Sequence, residues 1–98
     1  FGAVAGKDIA GVLGELACIS AAWHFTAFDS PRAVPVEQLA AILQTLDSNT
    51  APVQTHAGLR QALEATQHTR PALITGSLYL AGETLALRKD AAYQRSMQ

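Results

Sequence analysis

The chain has 98 residues, enough for one domain and too few for two. With 49% hydrophobic and 15% charged residues and a formal net charge of −1, it is neither a disordered chain nor one with a basic nucleic-acid-binding face. Aromatic residues are too sparse for a base-stacking platform. The single cysteine, Cys18, excludes an internal disulfide and so argues against a bridge-stapled secreted domain. No apolar run reaches the roughly 18 residues of a membrane span. Lys7, Asp8 and Glu15 interrupt the first stretch, so it does not read as a secretory signal, and a cytoplasmic location is expected.

Phe1 to Val4 reads as the middle or tail of a buried strand, so a preceding part of a larger protein is expected. Ala5-Gly6-Lys7-Asp8 is a turn. A helical pattern runs from Asp8 to about Ala22, with Ile9, Val12, Leu13, Leu16 and Ile19 as its apolar stripe. Asp8 in the first turn suits the helix dipole. Gly11 and Gly14 weaken the helix and allow close packing on a sheet. Trp23 to Phe28 is aromatic and β-prone, a strand broken by Asp29-Ser30-Pro31-Arg32. Pro35 opens a second helix with Val36, Leu39, Ile42, Leu43 and Leu46 buried, ended by Asp47-Ser48-Asn49-Thr50. Pro52 to Thr55 is a weak edge strand. Gly58 to Gln67 is a third helix, with Leu59, Ala62, Leu63 and Thr66 on one side. Pro71 to Thr75 is the clearest buried strand, closed by Gly76-Ser77. Leu78 to about Arg88 is a last helix, and Lys89 to Gln98 a fraying tail.

Strands alternate with helices throughout. Parallel strands need crossover connections, usually helical, so the expected fold is a three-layer, Rossmann-like α/β domain with a mainly parallel sheet and helices on both faces. Ligands of such sheets sit at the carboxyl ends of the strands. That rule brings Lys7, Arg32, Thr75 and Ser77 towards one rim, where two cations and two hydroxyls suit a carboxylate or phosphate. The helix start after Gly76 adds backbone N–H donors. No phosphate loop or dinucleotide fingerprint is present. His24, His56 and His68 have no metal-ligand spacing, so no metal is expected. No catalytic triad accompanies Ser77, and no catalytic residue is assigned.

Two stretches, Phe1-Gly2-Ala3-Val4-Ala5-Gly6-Lys7-Asp8-Ile9-Ala10-Gly11-Val12-Leu13 and Ala72-Leu73-Ile74-Thr75-Gly76-Ser77-Leu78-Tyr79-Leu80-Ala81-Gly82-Glu83, flank Ser30-Pro31-Arg32-Ala33. In that order and spacing the chain resembles, over essentially its whole length, the C-terminal domain of bifunctional dihydrofolate synthase/folylpolyglutamate synthase, of the Mur ligase superfamily. The resemblance implies a fragment of a two-domain ligase in which ATP phosphorylates a pteroate or folate carboxylate and glutamate attacks the acyl phosphate. ATP and magnesium belong mainly to the N-terminal ATPase domain, and none is bound by this fragment alone. Glutamate falls to Lys7 and Ser77 first, with Arg32 and Thr75 beside them. The family often carries an acidic residue where this chain has Gly6. The isolated chain is expected to be inactive and monomeric, without nucleic-acid or membrane partners.

Plainer readings stand beside these. Ser77 caps a helix, Lys7 is a solvated charge, and Arg32 bonds carbonyls of its own loop. Trp23 and Tyr79 are packing aromatics, Cys18 is a small buried side chain, and His56 and His68 are surface residues. Rival functions are a receiver-like or other non-enzymatic α/β binding module and the C-terminal domain of a cell-wall Mur ligase. The first needs paired acids where Gly6 and Lys7 stand.

Overall fold

A computed structural model describes residues 1–46, 51–66 and 71–96. It is a small α/β fold with a two-stranded parallel sheet and four helices: α1 Ile9–Ala17, β1 Trp23–Thr26, α2 Val36–Gln44, β2 Val53–His56, α3 Leu59–Ala65 and α4 Leu78–Ser96. The expected end of α2 at Asp47–Thr50, and His68, lie outside the described residues.

Asp8 stands at the N-cap of α1, one place outside the helix, and its Oδ1 accepts the Gly11 N–H at 3.0 Å. Gly11 makes room for that carboxylate, because a β-carbon there would lie 2.3 Å from Asp8 Oδ2. Its expected role in sheet packing is thus replaced by one at the cap. The helix stops at Ala17 rather than Ala22. The Ser20 hydroxyl donates to Leu16 O at 2.7 Å and so competes with the backbone for a terminal carbonyl. The buried face is Ile9, Leu13 and Ala17, while Val12 and Ile19 are exposed. Cys18, just past the end, is exposed rather than buried.

α2 follows its expected stripe: Val36, Leu39 and Leu43 are buried, and Ile42 and Leu46 pack against the same core. Pro35 is its N-cap rather than its first helical residue, with φ −57°. β1 ends at Thr26, two residues before the expected Phe28. β2 has exposed side chains at Val53, Gln54 and Thr55, as an edge strand should. It pairs with β1 in parallel, His24 opposite Gln54 and Thr26 opposite His56. In α3, the Gly58 N–H donates to Gln61 Oε1 at 3.1 Å, and Leu59 and Ala62 are buried.

Two expected strands are not ladder strands. The Phe1 nitrogen donates to His24 O at 2.6 Å and Thr26 N–H donates to Phe1 O at 3.0 Å, the alternation of a parallel pair beside β1. Beyond that, Val4 makes an isolated antiparallel bridge to Ala33. Pro71–Thr75, expected as the clearest buried strand, forms no strand. Gly2 N–H reaches Thr75 O at a long 3.4 Å. Leu73 is 66% exposed, because the segment lies at the periphery, where its apolar composition is not matched by burial. α4 continues to Ser96 instead of ending at Arg88, since neither glycine nor proline interrupts the sequence from Glu83 onward. Tyr79, on the outer side of α4, is exposed rather than packed.

The apolar side chains form two clusters. One joins Ile9, Leu13 and Ala17 of α1 to Val36, Leu39 and Leu43 of α2 and to Trp23 and Phe25 of β1. Phe1 meets the rings of Trp23 and Phe25 edge-on, at centroid distances of 6.3 and 5.9 Å. The other gathers Val4, Phe28, Leu59 of α3 and Leu80 of α4. Successive residues Ala3 and Val4 go to different clusters, as extended backbone requires.

Candidate functional site

The site is built where the turn after Val4 meets the loop after Phe28. Val34 N–H donates to Ala3 O at 2.7 Å and Ala5 N–H to Arg32 O at 2.8 Å, which lays residues 3–5 against 32–34. Gly6 turns the chain with φ +90°, a conformation that favours glycine. The Arg32 guanidinium crosses the gap and donates through Nη2 to Ala5 O at 2.8 Å. Arg32 does bond a carbonyl, but one in the facing turn rather than its own loop. That loop is held inside by Arg32 N–H donating to Ser30 Oγ at 3.2 Å, and outside by Asp29 N–H donating to Glu83 Oε2 at 2.9 Å on α4.

Between these turns lies an open cavity of about 680 Å³. Lys7, Asp8 and Arg32 bring its charges, Pro31 and Val34 part of its wall, and Gln38 and Ile42, one turn apart on α2, the far side. Lys7 and Arg32 are exposed. Two cations, Lys7 and Arg32, stand against one carboxylate, Asp8, which accepts the Gly11 N–H at the cap of α1. A guanidinium offers a planar fork for a carboxylate and an ammonium offers a point charge. Such a depression suits a small anion better than a divalent cation.

Of the four residues expected to meet, the structure brings Lys7 and Arg32 to this cavity, while Thr75 and Ser77 are not among its lining residues. Ser77 Oγ accepts the Tyr79 N–H at 3.1 Å and so caps α4, as its plainer reading requires. Thr75 carries the carbonyl that meets Gly2. Gln38 and the Glu83 tether do not stand out in the sequence, and Ile42 is legible there only as part of the apolar stripe of α2. The signal that points to Gln38 and Ile42 is their place on the helix that follows the Arg32 loop.

A second polar pair lies on the sheet. His24 Nδ1 and His56 Nε2 are 3.0 Å apart on adjacent strands. Burial first, and then the charge of His56, hold the His24 ring below its ordinary value of 6.5.

Comparison of the chain with protein families, with curated proteins and with solved structures found no match.

Proposed function

We propose that this chain is the C-terminal, glutamate-binding domain of an ATP-dependent ligase that joins L-glutamate to dihydropteroate or folate, and that its fold is a three-layer, Rossmann-like α/β domain of the Mur ligase type. The layering is supported by the two apolar clusters and by their alternate use of Ala3 and Val4. The observation that carries the function is the meeting of Lys7 and Arg32, from two separate turns, on one open cavity. With the Lys-Asp-Ile, Pro-Arg-Ala and Gly-Ser-Leu-Tyr-Leu segments, that meeting fits an amino acid carrying two carboxylates.

In this reading the glutamate amine attacks the carbonyl carbon of an acyl phosphate. The carbon–nitrogen bond forms, the carbon–oxygen bond to phosphate breaks, and the amine gives up a proton. Lys7 and Arg32 hold the carboxylates so that the amine stays in attack geometry. Ser77, at the N-cap of α4, and Thr75 belong to this reading through the resemblance rather than through a place in the cavity. ATP and magnesium belong mainly to that domain, the intact ligase works as a cytoplasmic monomer, and the isolated chain is inactive.

The test uses the intact two-domain ligase. Lys7→Ala and Arg32→Ala raise the KM for glutamate by about tenfold or more, the loss of a charge-assisted contact, and leave that for ATP within about twofold. Ser77→Ala shifts the glutamate constant in the same direction. An unchanged glutamate KM in Lys7→Ala and Arg32→Ala sinks the reading.

A further inference from the structure

The histidines of β1 and β2 lie away from the Lys7–Arg32 cavity, and they make a different kind of site. Their ring centroids are 5.2 Å apart with planes inclined by 22°, while the facing nitrogens are 3.0 Å apart. The centroid separation is close to the nitrogen distance plus a ring radius at each end. The rings therefore meet edge to edge, with His24 Nδ1 and His56 Nε2 directed at each other. The parallel register, Thr26 opposite His56, fixes this diagonal contact between neighbouring strands.

Imidazole nitrogen is the commonest protein ligand for transition metals. Two such nitrogens on one tetrahedral Zn²⁺, each bonded at about 2.0–2.1 Å, stand about 3.3 Å apart, and at a right angle they stand about 2.9 Å apart. The observed 3.0 Å lies between these values; an ion bonded to both nitrogens sits off the line that joins them, so chelation requires each ring to turn its nitrogen towards the ion.

We propose that His24 and His56 form a two-histidine chelate for a divalent transition-metal ion of the Zn²⁺, Ni²⁺ and Cu²⁺ class. The ring that donates in the N–H···N contact shifts its proton to its outer nitrogen. Both facing nitrogens then offer lone pairs, and no net proton is lost when both rings start neutral. Among the described residues there is no group of three or more His, Cys, Asp and Glu side chains placed to hold a metal, so water fills the remaining positions and the ion exchanges readily. With only nitrogen and water donors, Cu²⁺ binds more tightly than Ni²⁺ or Zn²⁺. The site is independent of the glutamate pocket.

Zn²⁺ and Ni²⁺ are titrated separately into the whole chain near neutral pH by calorimetry, with histidine ring resonances followed by NMR. One ion per chain is expected, with both the His24 and His56 rings shifting. His24→Gln and His56→Gln each weaken binding more than about tenfold, since even a lost outer partner of a metal ligand costs that much. His68→Gln leaves it unchanged. Circular dichroism checks each variant for folding, and His56→Gln, on the exposed edge strand, carries the test if His24→Gln does not fold. Unchanged affinity in a folded His24→Gln or His56→Gln overturns the proposal, as does an equal loss in His68→Gln or the absence of any binding by the parent chain.

Discussion

The carbonyl oxygen of Gly2 lies so close to Gly76 that a β-carbon built on Gly76 would stand 2.2 Å from it. Gly76 also has φ +107°, a backbone region that side chains other than glycine's rarely enter. Crowding and conformation act together here, and the obstacle is backbone, which cannot turn aside. Gly76→Ala is therefore expected to destabilise the fold by at least about 3 kcal/mol, read from urea or thermal unfolding. Gly14 supplies the opposite case: it sits inside α1, and a β-carbon added there would meet nothing within 4 Å. Gly14→Ala should stabilise by about 0.5–1 kcal/mol, and equal effects from the two changes would contradict this description.

The face that α1 presents to the core can be tested in the same way. Leu13 is fully buried and its neighbour Val12 is 42% exposed. Leu13→Ala is expected to cost about 2–5 kcal/mol through lost apolar contact and a residual void. Val12→Ala should change stability by less than about 0.5 kcal/mol. A larger loss at Val12 than at Leu13 would restore the stripe read from spacing alone.

The depressed His24 titration has a definite sign. The folded chain binds a proton at this ring less readily than the unfolded chain does, so folding is favoured above the ordinary imidazole value of 6.5 and that advantage is lost as pH falls below it. Around the ring, the charge of His56 adds repulsion to burial. Unfolding with a chelator present should show Tm decreasing through that range, and His24→Gln should flatten the slope. A slope that His24→Gln leaves intact would assign the effect elsewhere.

Cys18 makes a hydrogen bond from Sγ to Glu15 O at 3.2 Å but remains exposed. A thiol-specific disulfide reagent should titrate one thiol per folded chain without denaturant. Reaction only after unfolding would return Cys18 to the core.

Much of the helical part of this fold is written in local spacing. Leu39 and Leu43 are buried because they fall on the stripe that begins at Val36, and Asp8 caps α1 because a carboxylate suits a helix start. What local pattern cannot supply is pairing between distant segments. Pro71–Thr75 is apolar enough for a central strand, yet Leu73 faces solvent because the segment runs along the outside. His24 and His56 are 32 residues apart, and only the register of β1 on β2 brings their rings together. Likewise, Lys7 and Arg32 are legible as cations after strand ends, whereas the bond from Arg32 to Ala5 spans 27 residues and depends on the bridge between Val4 and Ala33. The far side supplied by Gln38 and Ile42 comes from how α2 leaves the Arg32 loop.

That arginine has a consequence beyond its charge. One end of its guanidinium is already committed to the opposite turn, and the loop that carries it is tied to α4 through Asp29 and Glu83. A guest anion arriving at Arg32 meets a donor whose backbone has been immobilised in advance, so little ordering of that side remains to oppose association. The Lys7 ammonium, exposed at the end of a flexible four-carbon stem, keeps the freedom to adapt to guests of different length.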